Sequence, residues 1–368
     1  MKFRTITALA VLPLLAAGCG AAEESAPADA ASAPVAPETA QATQDSAAAQ
    51  EQSFTVVSGA ADEEVDPNLG VFDFYPSDVQ VRPGDTLRFE NGSGTVPVPH
   101  TVTLGTAADI GAKIPPPVAE GVGQVPAVWG MCVSDEPLAP DVTGCPGGDA
   151  AFPPQTDSVE MPAFAAQGFY NSGVFDPGQT VVVPIADDAA PGTISFVCYL
   201  HPATMEMTVE VVSSGQQVQS QSDLDAAAQE AIAADVADGA EALAAAESAD
   251  PPPDTVRAGA EQGAAVVTRF FPTEITVPAG TTVTWVNEGN DPHVVSFGGE
   301  VDPHGPENFA PPTIPPGGEY TDGTAISGVF GKPPFPATTY SLRFSDPGRY
   351  PYVCPIHPGM GGVVDVSE

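Results

Sequence analysis

Cysteine, histidine and methionine cluster in two short segments of this chain, CYLHPATM at 198–205 and CPIHPGM at 354–360. A further histidine precedes each segment at a distance along the chain. A soft thiolate, two imidazoles and a weak axial thioether form the ligand set of a mononuclear copper site that transfers electrons. Thiolate favours Cu(I) and imidazole suits both oxidation states, so such a site rearranges little when an electron moves. The candidate ligands are His100, Cys198, His201 and Met205 in the first set, and His293, Cys354, His357 and Met360 in the second.

The spacing of these residues indicates which elements must hold them. A cysteine, a histidine and a methionine so close together fit one tight loop between two strands, and the distant histidine closes the site from another strand. In the first set, Met207 competes with Met205 for the axial position. Counting back from the closing strand, which carries Val209 and Val211, aligns Met205 with Met360 and favours it.

An internal repeat supplies these strands. The segment FYPSDVQVRPGDTLRFEN at 74–91 recurs as FFPTEITVPAGTTVTWVN at 270–287, with Phe, Pro, Gly, Thr and Asn at matching places. Both copies alternate apolar and polar residues with a period of two and then turn at a glycine, which predicts two strands joined by a turn. The sequence SGVF also occurs twice, at 172–175 and 327–330. Two copies of one β-rich unit therefore account for nearly all of the chain outside its linkers.

Composition favours an all-β fold, because 42 prolines and 37 glycines in 368 residues suit short strands joined by many turns. Two stretches differ from this pattern. The first is rich in Ala, Glu, Gln, Pro and Ser without a hydrophobic period, which is typical of a disordered tether. In the second, Ser222 is expected to cap a helix from Asp223 to about Glu247 that acts as a spacer or packs on a domain. The expected segments are a signal peptide at 1–19, the tether at 20–52, a first domain at 53–212, a linker at 213–256 and a second domain at 257–368.

The two ligand segments resemble the copper loop of the cupredoxin family, which includes plastocyanin, azurin and amicyanin and in which Cys is followed by His-Pro and then Met. CPIHPGM is similar to the amicyanin loop in both spacings, and CYLHPATM carries one additional residue before the methionine. The resemblance covers about 53–212 and 257–368. It implies two Greek-key β-sandwich or barrel domains, each with one copper ion near one end. It also implies that His201 and His357 expose a ring edge through which electrons leave.

Two positions depart from the family pattern. The small blue-copper proteins usually have Asn after the first histidine, where this chain has Thr101 and Val294. The change affects hydrogen bonding around the site, and so the reduction potential, more than copper binding itself. A cupredoxin fold that has lost its metal is the alternative interpretation, but such a fold would lack a ligand and both sets here are complete.

The N-terminus predicts export. Lys2 and Arg4 precede an apolar run at 6–17 that is too short to span a bilayer, as in a signal peptide. The run ends in LAAGC at 15–19, which resembles the lipobox of bacterial lipoproteins and would make Cys19 the lipidated first residue of the mature protein. Ordinary cleavage at an Ala-rich site is the alternative. The expected location is the extracytoplasmic face of the cell envelope, periplasmic or at the cell surface, where disulfides persist.

The remaining cysteines and histidine lie outside the two ligand sets. Cys132 and Cys145 are expected to form a disulfide that closes a loop of about fourteen residues, worth roughly 3 kcal/mol. A second metal site is the alternative, but no histidine lies near them in the sequence. His304 is in a Pro/Gly-rich loop and is expected to be a surface residue, with an auxiliary metal or proton role as the alternative.

The charge balance limits the possible partners. The chain has 48 acidic and 10 basic residues, a formal net charge of −38. Nucleic acid is therefore a poor partner, and so is an anionic membrane surface approached by electrostatics. The acidic surface serves either solvation or the docking of a basic redox partner.

These features predict an electron carrier and not an enzyme. Copper oxidases and nitrite reductases resemble cupredoxins but need further histidine ligands, and four of the five histidines here are already assigned. The expected partner is a redox protein such as a cytochrome or an oxidoreductase, and the expected membrane contact is the lipid anchor. The alternative function is copper binding for storage or delivery.

Overall fold

The computed structural model describes residues 51–368, except 95, 97, 107, 109–131, 135–156, 165–167, 300, 303–304 and 334. Within these residues strands dominate, and a long helix connects two sets of strands. The predicted all-β fold with a helical linker is confirmed. No helix in the described part of the chain has both the length and the apolarity needed to cross a bilayer.

The first set of strands forms the N-terminal sandwich. Its strands are β1 (Ser53–Ala61), β2 (Leu69–Tyr75), β3 (Asp78–Val81), β4 (Thr86–Asn91), β5 (Thr103–Leu104), β6 (Cys132–Ser134), β7 (Ser158–Glu160), β8 (Phe169–Asn171), β9 (Thr180–Pro184), β10 (Gly192–Val197) and β11 (Glu206–Val211). One sheet has the order β2-β1-β4-β9-β7 and the other β3-β11-β10-β5-β8-β6. Alternate side chains such as Leu87 and Phe89 point into the core between the sheets.

The second set forms the C-terminal sandwich. Its elements are β12 (Thr255–Gln262), β13 (Ala265–Phe271), β14 (Glu274–Pro278), β15 (Thr281–Val286), β16 (Ser296–Phe297), a 3₁₀ helix (Pro306–Phe309), β17 (Gly318–Tyr320), β18 (Ala325–Ile326), β19 (Thr339–Phe344), β20 (Gly348–Val353) and β21 (Gly361–Ser367). One sheet has the order β17-β19-β15-β12-β13 and the other β14-β21-β20-β16-β18. Trp285 is fully buried in the core, with its ring against those of Phe297 and Tyr352.

The two sandwiches share one ten-stranded sheet. Strand β2 pairs antiparallel with β13, and Leu69 lies opposite Val267. Next to this ladder, Phe72 N donates a hydrogen bond of 2.8 Å to Ala264 O. The pairing occupies the edge of both strands, so neither offers free backbone groups to a third chain at this position.

The linker helix α1 (Gln221–Ser248) is 28 residues long, which corresponds to about 42 Å. Its cap is Ser220, not the predicted Ser222. Asp223 N donates to Ser220 Oγ, and Ser220 N donates back to Asp223 Oδ2, both at 3.2 Å. This reciprocal capping box fixes the start of the helix two residues earlier than the sequence suggested.

Helix α1 packs on the shared sheet, where it contacts β1 and β2 of one sandwich and β12 and β13 of the other. The close approach depends on small buried side chains, because Gly239 lies against Leu69 with no room for a Cβ atom. A separate hydrophobic core forms between helix and sheet. Of the two roles that the sequence left open for this helix, the structure therefore shows packing and not a free spacer.

The burial of Asp73 beneath α1 makes the stability of the fold depend on pH. Burial is the main cause that raises the pKa of Asp73 from 3.8 to about 7, and the nearby carboxylate of Asp235 on the helix contributes in the same direction. Tyr75 donates a hydrogen bond of 2.6 Å to the same Asp235. A raised carboxyl pKa means that the folded state binds the proton more tightly than the unfolded state. This contribution to stability is present below about pH 4 and is lost as pH rises towards 7.

We predict that Asp73→Asn removes this pH dependence. The variant should be more stable than the wild type at pH 8 by about 1–2 kcal/mol, less than the full pKa shift implies because the side chain is partly solvated. The difference should shrink as the pH falls and vanish near pH 3, below the unfolded pKa of 3.8, where Asp73 is protonated in both states. Urea unfolding at several pH values measures it, and Glu230→Gln, at an exposed position on the same helix, is the control. Equal pH profiles for Asp73→Asn and wild type would contradict the prediction.

Candidate metal centres

The first group of candidate ligands meets at the loop between β10 and β11. Cys198 directly follows β10, and His201 lies within the loop. His100 reaches the loop from an isolated β-bridge with Phe175. His100 Nδ1 and His201 Nδ1 lie 3.9 and 3.6 Å from Cys198 Sγ. The structure thus brings together two imidazoles and a thiol from positions 100, 198 and 201 of the chain.

The second group repeats this arrangement at the loop between β20 and β21. His293 forms an isolated β-bridge with Phe330 and lies beside Cys354. His293 Nδ1 and His357 Nδ1 are 4.0 and 3.5 Å from Cys354 Sγ and 3.1 Å from each other. In each group, the ligand atoms of the two histidines and the cysteine all lie within 4.8 Å of one another.

These separations fit a bound metal ion. A metal bonded to imidazole nitrogen at about 2.0–2.1 Å and to thiolate sulfur at about 2.3 Å holds the ligand atoms roughly 3–4 Å apart. The Nδ1 to Sγ separations of 3.5–4.0 Å agree with this range. Both cysteines are buried and free. Two imidazole nitrogens and one thiolate sulfur are donors that suit copper.

Each loop is closed at its methionine. Cys198 N donates to Met205 O, and Cys354 N donates to Met360 O, both at 2.9 Å. Met205 and Met360 therefore occupy equivalent places, and both are buried. Met207 instead lies within β11 opposite Phe196. The alignment that favoured Met205 over Met207 agrees with this backbone pattern.

A backbone N–H donates to each cysteine sulfur, which favours its thiolate form. Thr101 N is 3.4 Å from Cys198 Sγ, and Val294 N is 3.3 Å from Cys354 Sγ. This hydrogen bond to sulfur comes from the main chain. It is therefore present although Thr101 and Val294 replace the Asn that is usual in the family. The side chains do differ. Thr101 Oγ1 accepts a hydrogen bond of 2.8 Å from Tyr199 N, whereas Val294 has no hydroxyl to anchor its loop.

The repeated SGVF sequence supports the upstream histidines. Ser172 Oγ accepts a hydrogen bond from Val102 N, and Ser327 Oγ accepts one from Val295 N, both at 2.8 Å. The phenylalanine that ends each motif forms the β-bridge to the histidine. The sequence alone assigned no role to the SGVF repeat. In the structure, it holds the segment that carries each upstream histidine.

Two glycines pack against the upstream imidazoles, and sequence reasoning did not identify them. Gly59 and Gly259 interrupt the registers of β1 and β12 at φ of +68° and +77°. A Cβ on Gly59 would lie 2.5 Å from His100 Nε2, and one on Gly259 would overlap His293 Nε2. His100 Nε2 also lies 2.9 Å from Ser93 Oγ, whereas His293 Nε2 has no hydrogen-bond partner within the described residues. The matching SGAA and AGAE sequences were the available signal.

The two C-terminal histidines are buried, which corrects the expectation of exposed ring edges. The side chains of His201 and His357 are 8% and 4% exposed. Asp291 lies 3.6 Å from the first ring and 3.1 Å from the second, and Phe72 packs on His201 with ring centroids 4.8 Å apart. The expectation was wrong because His201 is covered in part by Asp291 from the other half of the chain, a contact that separate family members do not reveal. No local sequence signal distinguished Asp291 from the many surface acids.

The electrostatics of the two groups differ. Burial raises the pKa of Cys198. Burial would also raise the pKa of Cys354, but the positive charge of His357 beside it lowers that pKa to about 6. His357 is itself held in its charged form against burial by Asp291 and Cys354, which raise its pKa to about 10. Cys354 of the second group therefore forms a thiolate more readily than Cys198 of the first group.

Several predicted positions lie outside the described residues. Cys19, Cys145 and His304 belong to this set, and of Cys132 only the backbone, in β6, is described. The predicted lipidation, disulfide and surface histidine therefore stay predictions.

Comparison with known proteins relates parts of the chain to copper-binding proteins. The family described as "Copper binding proteins, plastocyanin/azurin family" matches residues 255–367. Plastocyanin from Scenedesmus fuscus is 34% identical over 107 residues, which are 29% of this chain and 90% of the relative. Amicyanin-alpha from Methylorubrum extorquens is 31% identical over 103 residues, 27% of this chain and 65% of the relative. The crystal structure of amicyanin from Paracoccus versutus aligns at 29% identity over 32% of this chain and 86% of its own, with a TM-score of 0.21.

The chain belongs to the plastocyanin/azurin family of copper-binding proteins, the cupredoxins. The matched family region contains the complete second group of candidate ligands. The first group has the same donors in the same arrangement.

We predict that Gly259→Ala weakens copper binding at the second group by about 10- to 100-fold, the range for residues that orient a ligand. The added methyl group would displace the His293 ring. Copper competition against a chelator in a Cys198→Ser background, where only the second group can bind, measures the effect. Gly317→Ala is the matched control, because φ is +79° there and nothing lies within 4 Å of the added carbon. Equal losses in both variants would assign the effect to backbone strain instead.

Proposed function

We propose that this protein is an exported electron carrier with two mononuclear copper sites. The observation that carries the proposal is the pair of buried His–Cys–His groups, each with converging Nδ1 and Sγ atoms. The proposed ligands are His100, Cys198, His201 and Met205 in the first site, and His293, Cys354, His357 and Met360 in the second. Bound copper would supply a one-electron Cu(I)/Cu(II) couple at each site.

The surroundings of each site favour electron transfer. The ligands are placed by β-bridges, by backbone hydrogen bonds across the loop and by a backbone N–H aimed at the sulfur. A framework with these restraints keeps the donor atoms in one arrangement, so little rearrangement accompanies a change of oxidation state. Carriers of this kind need no open coordination position, because the electron passes through the ligands.

The histidine count supports a carrier over an oxidase or reductase. Catalysis at copper needs an open coordination position and commonly further histidine ligands. The chain has five histidines, of which the two sites use four. We propose as partner a redox protein such as a cytochrome or an oxidoreductase, in keeping with the plastocyanin and amicyanin relatives. The net charge of −38 suits a basic partner, and in that case raising the ionic strength would slow their reaction.

The proposal extends to the cell envelope. The N-terminal segment reads as a signal peptide, and Cys19 follows a lipobox-like LAAG. We propose that Cys19 carries a lipid and that the mature protein lies on the extracytoplasmic side. Such a compartment also allows Cys132 and Cys145 to form a disulfide, which mass spectrometry of unreduced peptides would detect.

We predict two coppers per chain that cycle reversibly. Copper-loaded wild type should contain close to two coppers, and Cys198→Ser and Cys354→Ser should each leave one. Visible absorption should bleach on reduction and return on oxidation with the copper retained. The measurements are elemental analysis and a redox titration of each protein.

Other outcomes would contradict this function. Rapid loss of Cu(I) to a competing chelator would favour storage or delivery, although the burial of the ligands opposes easy exchange. Sustained consumption of oxygen or nitrite would make the protein an enzyme. A stoichiometry of one in the wild type would remove the first or the second site from the proposal.

We predict that Cys19→Ala releases the protein from the membrane fraction or blocks its processing. The physical reason is the loss of the only thiol in the lipobox-like segment. Cell fractionation with immunodetection measures the effect, and Ser25→Ala in the adjoining tether is the control. A wild-type protein that is already free of the membrane would show that the signal peptide is an ordinary one.

A further inference from the structure

Asp291 lies between the two candidate centres. Its Oδ1 is 3.6 Å from His201 Nε2, and its Oδ2 is 3.1 Å from His357 Nε2. The carboxylate side chain is only 3% exposed. One buried carboxylate therefore contacts an imidazole from each half of the chain.

The backbone around Asp291 fixes its position. Asp291 N donates a 2.7 Å hydrogen bond to Glu261 Oε1, and Asn287 Nδ2 donates a 2.8 Å hydrogen bond to Asp291 O. Neither carboxylate oxygen has a hydrogen bond of good geometry among the described residues. A buried carboxylate is costly unless a positive or hydrogen-bonding group compensates it. In the described surroundings the two imidazoles supply that compensation.

In both His201 and His357, Nδ1 faces the cysteine sulfur and Nε2 faces the carboxylate of Asp291. Nδ1 of His201 lies 3.6 Å from Cys198 Sγ, and Nδ1 of His357 lies 3.5 Å from Cys354 Sγ. When one ring nitrogen binds a metal, the other carries the proton and donates to a neighbouring acceptor. A route of imidazole, carboxylate and imidazole thus connects the two groups, with non-covalent gaps of 3.6 and 3.1 Å.

The two halves differ at this position. Asn287 donates to the carbonyl of Asp291, and the equivalent Asn91 donates to the carbonyl of Val98. Val98 is therefore the counterpart of Asp291, and it is buried and apolar. A single carboxylate serves both groups, so its charge belongs to neither one alone.

We propose that Asp291 couples the two copper sites into one electron-exchanging pair. It acts as a shared negative charge beside both sites and as the middle element of the route between them. This inference rests on the proposed function. With copper bound at both sites, one electron would pass from Cu(I) at one site to Cu(II) at the other through His201, Asp291 and His357. No bond forms or breaks and no proton moves, and the external redox partners supply and remove the electron.

The shared charge has a measurable effect on both sites. A nearby negative charge stabilises Cu(II) relative to Cu(I) and so lowers the reduction potential. A neutral residue at position 291 should therefore raise the potential of both sites together. An acid that contacts one site alone would change mainly the potential of that site, because the Coulomb interaction weakens with distance.

The first experiment compares Asp291→Asn with Glu288→Gln, an acid three residues away whose side chain is 74% exposed. Redox titrations followed by visible absorption use Cys198→Ser and Cys354→Ser backgrounds to separate the sites. Asp291→Asn should raise each midpoint by at least 59 mV, a tenfold change in a one-electron equilibrium. Glu288→Gln should have a much smaller effect. A shift confined to the second site, or no shift, would overturn the shared charge.

The second experiment tests the route by comparing the wild type with Asp291→Leu. A flash photoreductant reduces a small fraction of the fully oxidised protein. Visible absorption then follows the electron from one site to the other, and the spectra of the single-site variants show which absorption belongs to which site. Redistribution should be first order, at a rate independent of protein concentration, and Asp291→Leu should slow it at least tenfold. A rate proportional to concentration would show exchange only between molecules and overturn the inference. Failure of the proposed function is a separate result, since the wild type would then not hold two cycling coppers.

Discussion

The pairing of β2 with β13 determines how the rest of this molecule is arranged. The ladder around Leu69 and Val267 continues one sheet from the N-terminal into the C-terminal sandwich. Because each ligand loop is fixed within its own sandwich, this junction also sets the distance between the loops. Helix α1 covers the junction and contributes a core of its own. The approach of His201 to Asp291 follows from this shared sheet.

Much of each candidate site could be predicted because its determinants are local. A loop of a few residues must bring Cys354 close to His357, and the strand repeat places the upstream histidine beside that loop. The alternation of apolar residues in 74–91 and 270–287 likewise identifies strands whose inward faces form a core. Even the choice of Met205 required only a count back from the closing strand.

The remaining features depend on contacts between distant segments, which local patterns do not encode. Asp291 resembles any loop acid in the sequence, and only the joined sheet brings it to His201, 90 positions earlier in the chain. The burial of both C-terminal histidines has the same origin. Ser220 was missed for a smaller reason, since two serines precede the helix and only the reciprocal bond with Asp223 selects one of them. Gly59 was missed because its effect is a close approach to an imidazole and not a turn.

The difference between Asp291 and Val98 has a consequence for symmetry. In a homodimer of identical subunits related by a two-fold axis, a residue near the axis necessarily faces its own copy. Two carboxylates in that position would repel each other in a buried environment, and two valines would leave the imidazole nitrogens without an acceptor. A single chain that contains both halves escapes this restriction, because each half can carry a different residue. The presence of both halves in one chain thus gives the interface a chemical composition that symmetric association of one half could not provide.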